Sequence, residues 1–81
     1  MVYRFDLEPA GPGVSRWTVA LPSDREAQKQ AIAGLGELLA DYPEQVPAPG
    51  SLTLTVTDAN GVVVCRLSLS ATLEGAVQPR A

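Results

Sequence analysis

With 81 residues, 46% hydrophobic and 19% charged, the chain has the composition of one small globular domain, large enough for a two-layer core and too apolar for intrinsic disorder. A net charge of −3 argues against direct nucleic-acid binding, because phosphate contacts need clustered Lys and Arg and the six present are scattered along the sequence. No apolar run approaches the ~20 residues of a membrane span, no basic and apolar leader opens the chain, and a lone cysteine cannot form an internal disulfide; a cytoplasmic protein is expected.

Residues 2–8 alternate Tyr3, Phe5 and Leu7 with Arg4, Asp6 and Glu8, the pattern of a half-buried strand. PAGPG at 9–13 reads as a turn, since Pro and Gly there interrupt pairing. A second strand over 14–21 sets Trp17, Val19 and Leu21 on one side and Arg16, Thr18 and Ala20 on the other. Across a five-residue loop, Phe5 then faces Trp17 on the inner side and Asp6 faces Arg16 on the outer, both favourable cross-strand pairs.

The segment PSDREAQKQAIAGLGELLADYP at 22–43 is the only stretch long and periodic enough for a helix. Ser23 followed by Glu26 forms a capping box, and Asp24 and Glu26 add negative charge where the helix dipole favours it. Ala27, Ala31, Leu35, Leu38 and Tyr42, flanked by Ile32 and Leu39, make one apolar stripe, and Pro43 ends it. Gly34 and Gly36 each cost about 1 kcal/mol against alanine, so they mark close packing or a tolerated weakness, or else Gly36 forms with Ala33 and Ala40 a small-residue face against which a partner backbone could lie. Glu37, Asp41 and Glu44 crowd like charge at the helix end where the dipole favours cations. They are a solvated face or a surface for a basic partner.

PEQVPAPG at 43–50 is expected to be an extended, stiff spacer. A third strand over 51–58 sends Leu52, Leu54 and Val56 inward, and a fourth over 62 to about 73 sends Val63, Cys65, Leu67 and Leu69 inward. Between them, DANG at 58–61 carries the Asn-Gly pair of tight hairpins. A two-residue loop at Asn60 and Gly61 pairs Val56 with Cys65, Leu54 with Leu67 and Leu52 with Leu69, whereas a three-residue loop would put the core out of phase. A calcium loop is rejected, because Val62 and Leu69 stand where oxygen ligands are needed. The outer face of this hairpin, with Thr53, Thr55, Thr57, Val64, Arg66, Ser68 and Ser70, carries one charge, thin protection against pairing with another chain. Residues 75–81 have no pattern and read as a mobile tail after a domain over 1–74.

The chemistry of catalysis is not visible. No histidine is present, Cys65 reads as a small core residue, and no phosphate-binding glycine pattern or cysteine pair occurs. The carboxylate pairs, Asp24 with Glu26 and Glu37 with Asp41, lie on the exposed side of the helix, and Trp17 is in phase with the core. No enzyme, cofactor or metal is expected.

YRFDL at 3–7, Leu-Pro at 21–22, the helix ending LLAD at 38–41 and TVTDANGVVV at 55–64 together resemble a family of short bacterial domains of unknown function with ββαββ order, over residues 2 to about 69. These motifs are structural, so the resemblance implies a fold and no functional residue. The family more often has an acidic residue and a glycine just before its second strand, where this chain has PAGPG and Trp17.

The expectation is an α+β, two-layer ββαββ sandwich: two antiparallel hairpins in one four-stranded sheet, in order 2-1-4-3 with strands one and four parallel at the centre, and one helix on one face. The expected function is a small non-catalytic protein-binding or self-associating module, with a protein partner or a homodimer, no nucleic acid and no membrane. Its candidate surface is Glu37, Asp41 and Glu44 at the helix end, or Thr53, Thr55, Thr57, Val64 and Arg66 on the hairpin. The alternative is an acidic inhibitor, anti-CRISPR-like or antitoxin-like, that blocks a basic nucleic-acid site on its target.

Overall fold

A computed structural model describes residues 1–9, 15–45 and 49–72. The alternating segment of the first hairpin forms β1 (Val2–Glu8) and β2 (Arg16–Ala20), followed by α1 (Asp24–Asp41), a single 3₁₀ turn (Pro43–Gln45), β3 (Gly50–Thr57) and β4 (Val63–Ala71). The four strands make one antiparallel sheet in the order β2-β1-β3-β4. The α1 helix lies principally over β3 and β4.

The first hairpin takes the register its chemistry demands. Phe5 pairs with Trp17 and Asp6 with Arg16, and the two aromatic rings stack with centroids 5.5 Å apart and an interplanar angle of 11°. Residues 10–14, which hold most of the expected 9–13 turn, lie outside the described part.

The 2-1-4-3 order is corrected to 2-1-3-4: β3, not β4, lies beside β1, and it runs antiparallel to it. Burial explains the choice. Leu52, Leu54 and Val56 are the most deeply buried residues of the second hairpin, and a central β3 pairs Leu54 with Leu7 and Val56 with Phe5. The inward residues of β4 are only half-buried, which suits an edge. Antiparallel pairing is also slightly more stable per residue than the parallel pair the other order requires. β2 and β3 are both antiparallel to β1, so α1 is the crossover between two parallel strands separated by one.

Ser23 caps α1 by accepting from the Glu26 amide at 3.2 Å, while the Glu26 carboxylate lies 3.3 Å from Lys29 Nζ. Ala27 and Ala31 are fully buried against the sheet, with Leu35, Leu38 and Leu39 packed beside them. Small residues at the contact let the helix lie close to the strands. The stripe is narrower than expected: Ile32 and Tyr42 are exposed. Ile32 is turned ~100° from Ala31 around the helix axis, and Tyr42 caps the C-terminus with φ −135° and so leaves the helical phase. Among the described residues, a Cβ added at Gly34 or Gly36 would meet nothing within 4 Å; close packing against these residues is not their reason. The expected extended spacer begins instead as the 3₁₀ turn, and 46–48 lie outside the described residues.

The second hairpin keeps the three core pairs, Val56 with Cys65, Leu54 with Leu67 and Leu52 with Leu69, by a route the expectation did not contain. The Asp58 amide donates to the Val62 carbonyl at 2.9 Å, so the loop is Ala59, Asn60 and Gly61, one residue longer than expected. Gly61 closes it, with φ +84° and its amide on the Asp58 carbonyl at 3.0 Å. A bulge between the Val56 and Thr57 pairings absorbs the extra residue and restores the phase. Its local effect is to reverse two side chains: Val63, expected inward, is exposed, and Val64, expected outward, packs against the core. β4 ends at Ala71, and the 75–81 tail lies outside the described residues.

Candidate functional site

The face of the sheet opposite α1 is built by strand phase alone. With Tyr3, Phe5, Leu7, Leu52, Leu54 and Val56 buried under the helix, the alternate residues must point the other way. The registers align Arg16, Asp6, Thr55 and Arg66 in one line across all four strands, and Arg4 with Thr57 in the neighbouring line. The result is an open hollow of about 690 Å³ lined by these residues together with Leu7, Glu8, Pro9 and Ser15.

Asp6 is the electrostatic centre. Arg4 Nε donates to Asp6 Oδ2 at 2.9 Å and Arg16 Nε donates to Asp6 Oδ1. Burial pushes the Asp6 carboxyl up, but the two hydrogen bonds and the charges of Arg16 and Arg4 outweigh it and hold it below the usual carboxylate range. Farther along the line, Arg66 Nε donates to Thr55 Oγ1 at 3.4 Å, and the Thr53 and Ser68 hydroxyls lie 3.4 Å apart. Three arginines against Asp6 and Glu8 make this face net positive on a chain whose overall charge is −3.

Of the expected surface residues, Thr53, Thr55, Thr57 and Arg66 share this face, whereas the bulge sends Val64 to the core. Glu37, Asp41 and Glu44 are exposed in the helix layer, so the structure does not bring the two candidate groups together. Arg4 and Arg16 are the residues the sequence reading passed over. Their outward phase was visible, but the pairing of β1 with β3 is what joins them to Arg66, and no short-range pattern encodes it. Cys65 is half-buried within the core cluster, and burial pushes its thiol up from the ordinary value. Among the described residues there is no group of three or more His, Cys, Asp or Glu placed to hold a metal ion. No helix there is long and apolar enough to cross a membrane.

Fold and face together define a small two-layer α+β domain, with one side of a four-stranded antiparallel sheet under a single helix and the other open and polar. Within that class the chain belongs to the family described as domain of unknown function (DUF6894), whose model matches residues 2–70. That span runs from the first residue of β1 almost to the end of β4. No curated protein and no solved structure matches the chain.

Proposed function

We propose that the protein is a small non-catalytic binding module that associates with a second copy of itself by extending its sheet at β4. The observation that carries this reading is the character of that edge. β4 is nine residues long, contains no proline, and has Arg66 as its sole charged residue. Edge strands of soluble proteins are ordinarily short, charged or interrupted, because a bare row of N–H and C=O groups is a template for another strand. The other edge, β2, is five residues long. Pairing β4 with β4 about a two-fold axis gives a closed, isologous dimer with a continuous sheet.

The test is light scattering across a concentration series, on the parent and on a Ser68→Lys/Ser70→Lys variant that places charge on the exposed side of the edge. A dimer that the two lysines convert to a folded monomer supports the reading. A parent that stays monomeric at every concentration removes it.

The exposed carboxylates Glu37, Asp41 and Glu44, with no basic residue in the last turn of α1, favour a second reading, the acidic inhibitor of a basic nucleic-acid site. Neutralising all three by Glu37→Gln, Asp41→Asn and Glu44→Gln would abolish target binding if this reading holds, and unchanged binding would exclude it.

A further inference from the structure

Three guanidinium groups on the helix-free face are each anchored through the inner nitrogen. Arg4 and Arg16 are held by the two oxygens of Asp6, and Arg66 by the Thr55 hydroxyl. Among the described residues these three side chains have no other polar partner. A guanidinium carries five N–H donors in a fixed fork, so engagement at Nε orients the group and leaves the Nη1 and Nη2 end available. That end is the edge that receives a carboxylate or phosphate in a bidentate pair.

A second observation comes from the same hollow. Thr57 is 7% exposed, lines the hollow, and its hydroxyl has no hydrogen-bond partner among the described residues. Buried hydroxyls are as a rule satisfied, and one that is not calls for a ligand or another cause. Here an orphan hydroxyl and three pre-oriented arginine forks share one concave surface.

We propose that this hollow binds an acidic protein segment, whose carboxylates take the arginine forks and one of whose polar groups reaches Thr57. The lining distinguishes this occupant from nucleic acid. Asp6 and Glu8 stand among the arginines, where they can accept peptide N–H groups, donors that a phosphodiester backbone lacks. Single-stranded nucleic acid is held largely by stacking on aromatic side chains, whereas Tyr3 and Phe5 are buried in the core and Trp17 packs, partly buried, against it. The hollow takes in Arg66 of β4, but edge pairing would use the backbone of that strand and not its outward side chains, so binding here does not require it.

The test is fluorescence polarisation of a dye-labelled oligo-glutamate peptide, at an ionic strength where the Debye length is ~8 Å, so that the carboxylates on the helix side are screened. Saturable binding is expected. Arg16→Ala weakens it about tenfold, the value of one charge-assisted hydrogen bond. Arg16 lies on β2, at the sheet edge opposite β4, so its loss acts on the hollow and not on edge pairing. Thr57→Val weakens binding while leaving the melting temperature equal or higher, since it removes an unsatisfied hydroxyl and keeps the shape. No saturable binding, or variants that bind as the parent does, overturns the proposal; so does tighter binding of labelled oligothymidylate, which would assign the face to nucleic acid. Light scattering on the same samples reads β4 pairing independently, so either idea can fail alone.

Discussion

The Tyr3 hydroxyl donates to Asp24 Oδ1 at 2.7 Å, tying the central strand of the sheet to the first turn of α1. The ring is fully buried, and the phenol is pushed up to about 12, first by burial, then by the hydrogen bond to Asp24 and by the charges of Asp24 and Asp58. In the unfolded chain the same phenol titrates near 10.0. The stability it contributes is therefore complete below pH ~10 and lost as pH rises towards about 12, because only the unfolded state gives up the proton in that window. The urea midpoint of the parent is expected to fall across this interval, and that of Tyr3→Phe to fall much less. Parallel profiles for the two proteins would show that another group governs alkaline unfolding.

Asp6 gives the opposite dependence. Its carboxyl is held below the ordinary range by Arg16 and Arg4, so its stabilisation is present above the unfolded carboxylate value and lost as pH falls through the lower folded one. Asp6→Asn should cost about 1 kcal/mol at neutral pH, the upper range for partly exposed ion pairs, and should flatten the acid side of the stability profile. Denaturant titrations at neutral and acid pH check both statements.

Gly34 and Gly36 lie within α1, and no described residue comes within 4 Å of a Cβ added at either. Gly34→Ala and Gly36→Ala should each raise stability by about 1 kcal/mol, or a few degrees in melting temperature for a domain of this size. If either alanine variant instead lost association with a second copy, the glycines would belong to an interface on the helix and not to β4.

Gly61 has φ +84° in the second hairpin, a conformation costing an L-residue roughly 1–2 kcal/mol. Gly61→Ala should lower stability by that amount even though a Cβ meets no atom there. Asp58→Ala should act at the same turn, because Asp58 Oδ1 accepts from the Asn60 amide at 2.8 Å and from the Val62 amide at 2.9 Å. Thermal melts of both variants test whether the turn is held by backbone geometry, by the aspartate, or by both.

What the sequence made legible was everything set by neighbours in the chain. Alternation at Tyr3, Phe5 and Leu7 placed β1, Asp6 and Arg16 set the first register, Ser23 set the helix start, and the core pairs from Val56–Cys65 to Leu52–Leu69 emerged correctly. The last held for an incomplete reason, since a longer loop and a bulge at Val64 cancel each other and only their sum shows in the hydrophobic pattern. Choices between distant segments were not legible. Whether β3 or β4 pairs with β1 depends on the burial of whole strands, and the gathering of Arg4, Arg16 and Arg66 follows from that pairing. The overall acidity of the chain conceals a cationic face, because net charge carries no information about position.

The pairing of β1 with β3 also sets an order of events in the life of the chain. Residues 2–8 are made before the other strands of the sheet, yet their second neighbour, residues 50–57, is synthesised only after the helix is complete. Until then β1 has the short β2 on one side and nothing on the other, and an isolated two-stranded hairpin is at best marginally stable in water. Closing so long a loop carries an entropic cost before any contact rewards it. The domain should therefore assemble late, in one step, when the third strand arrives to complete the first.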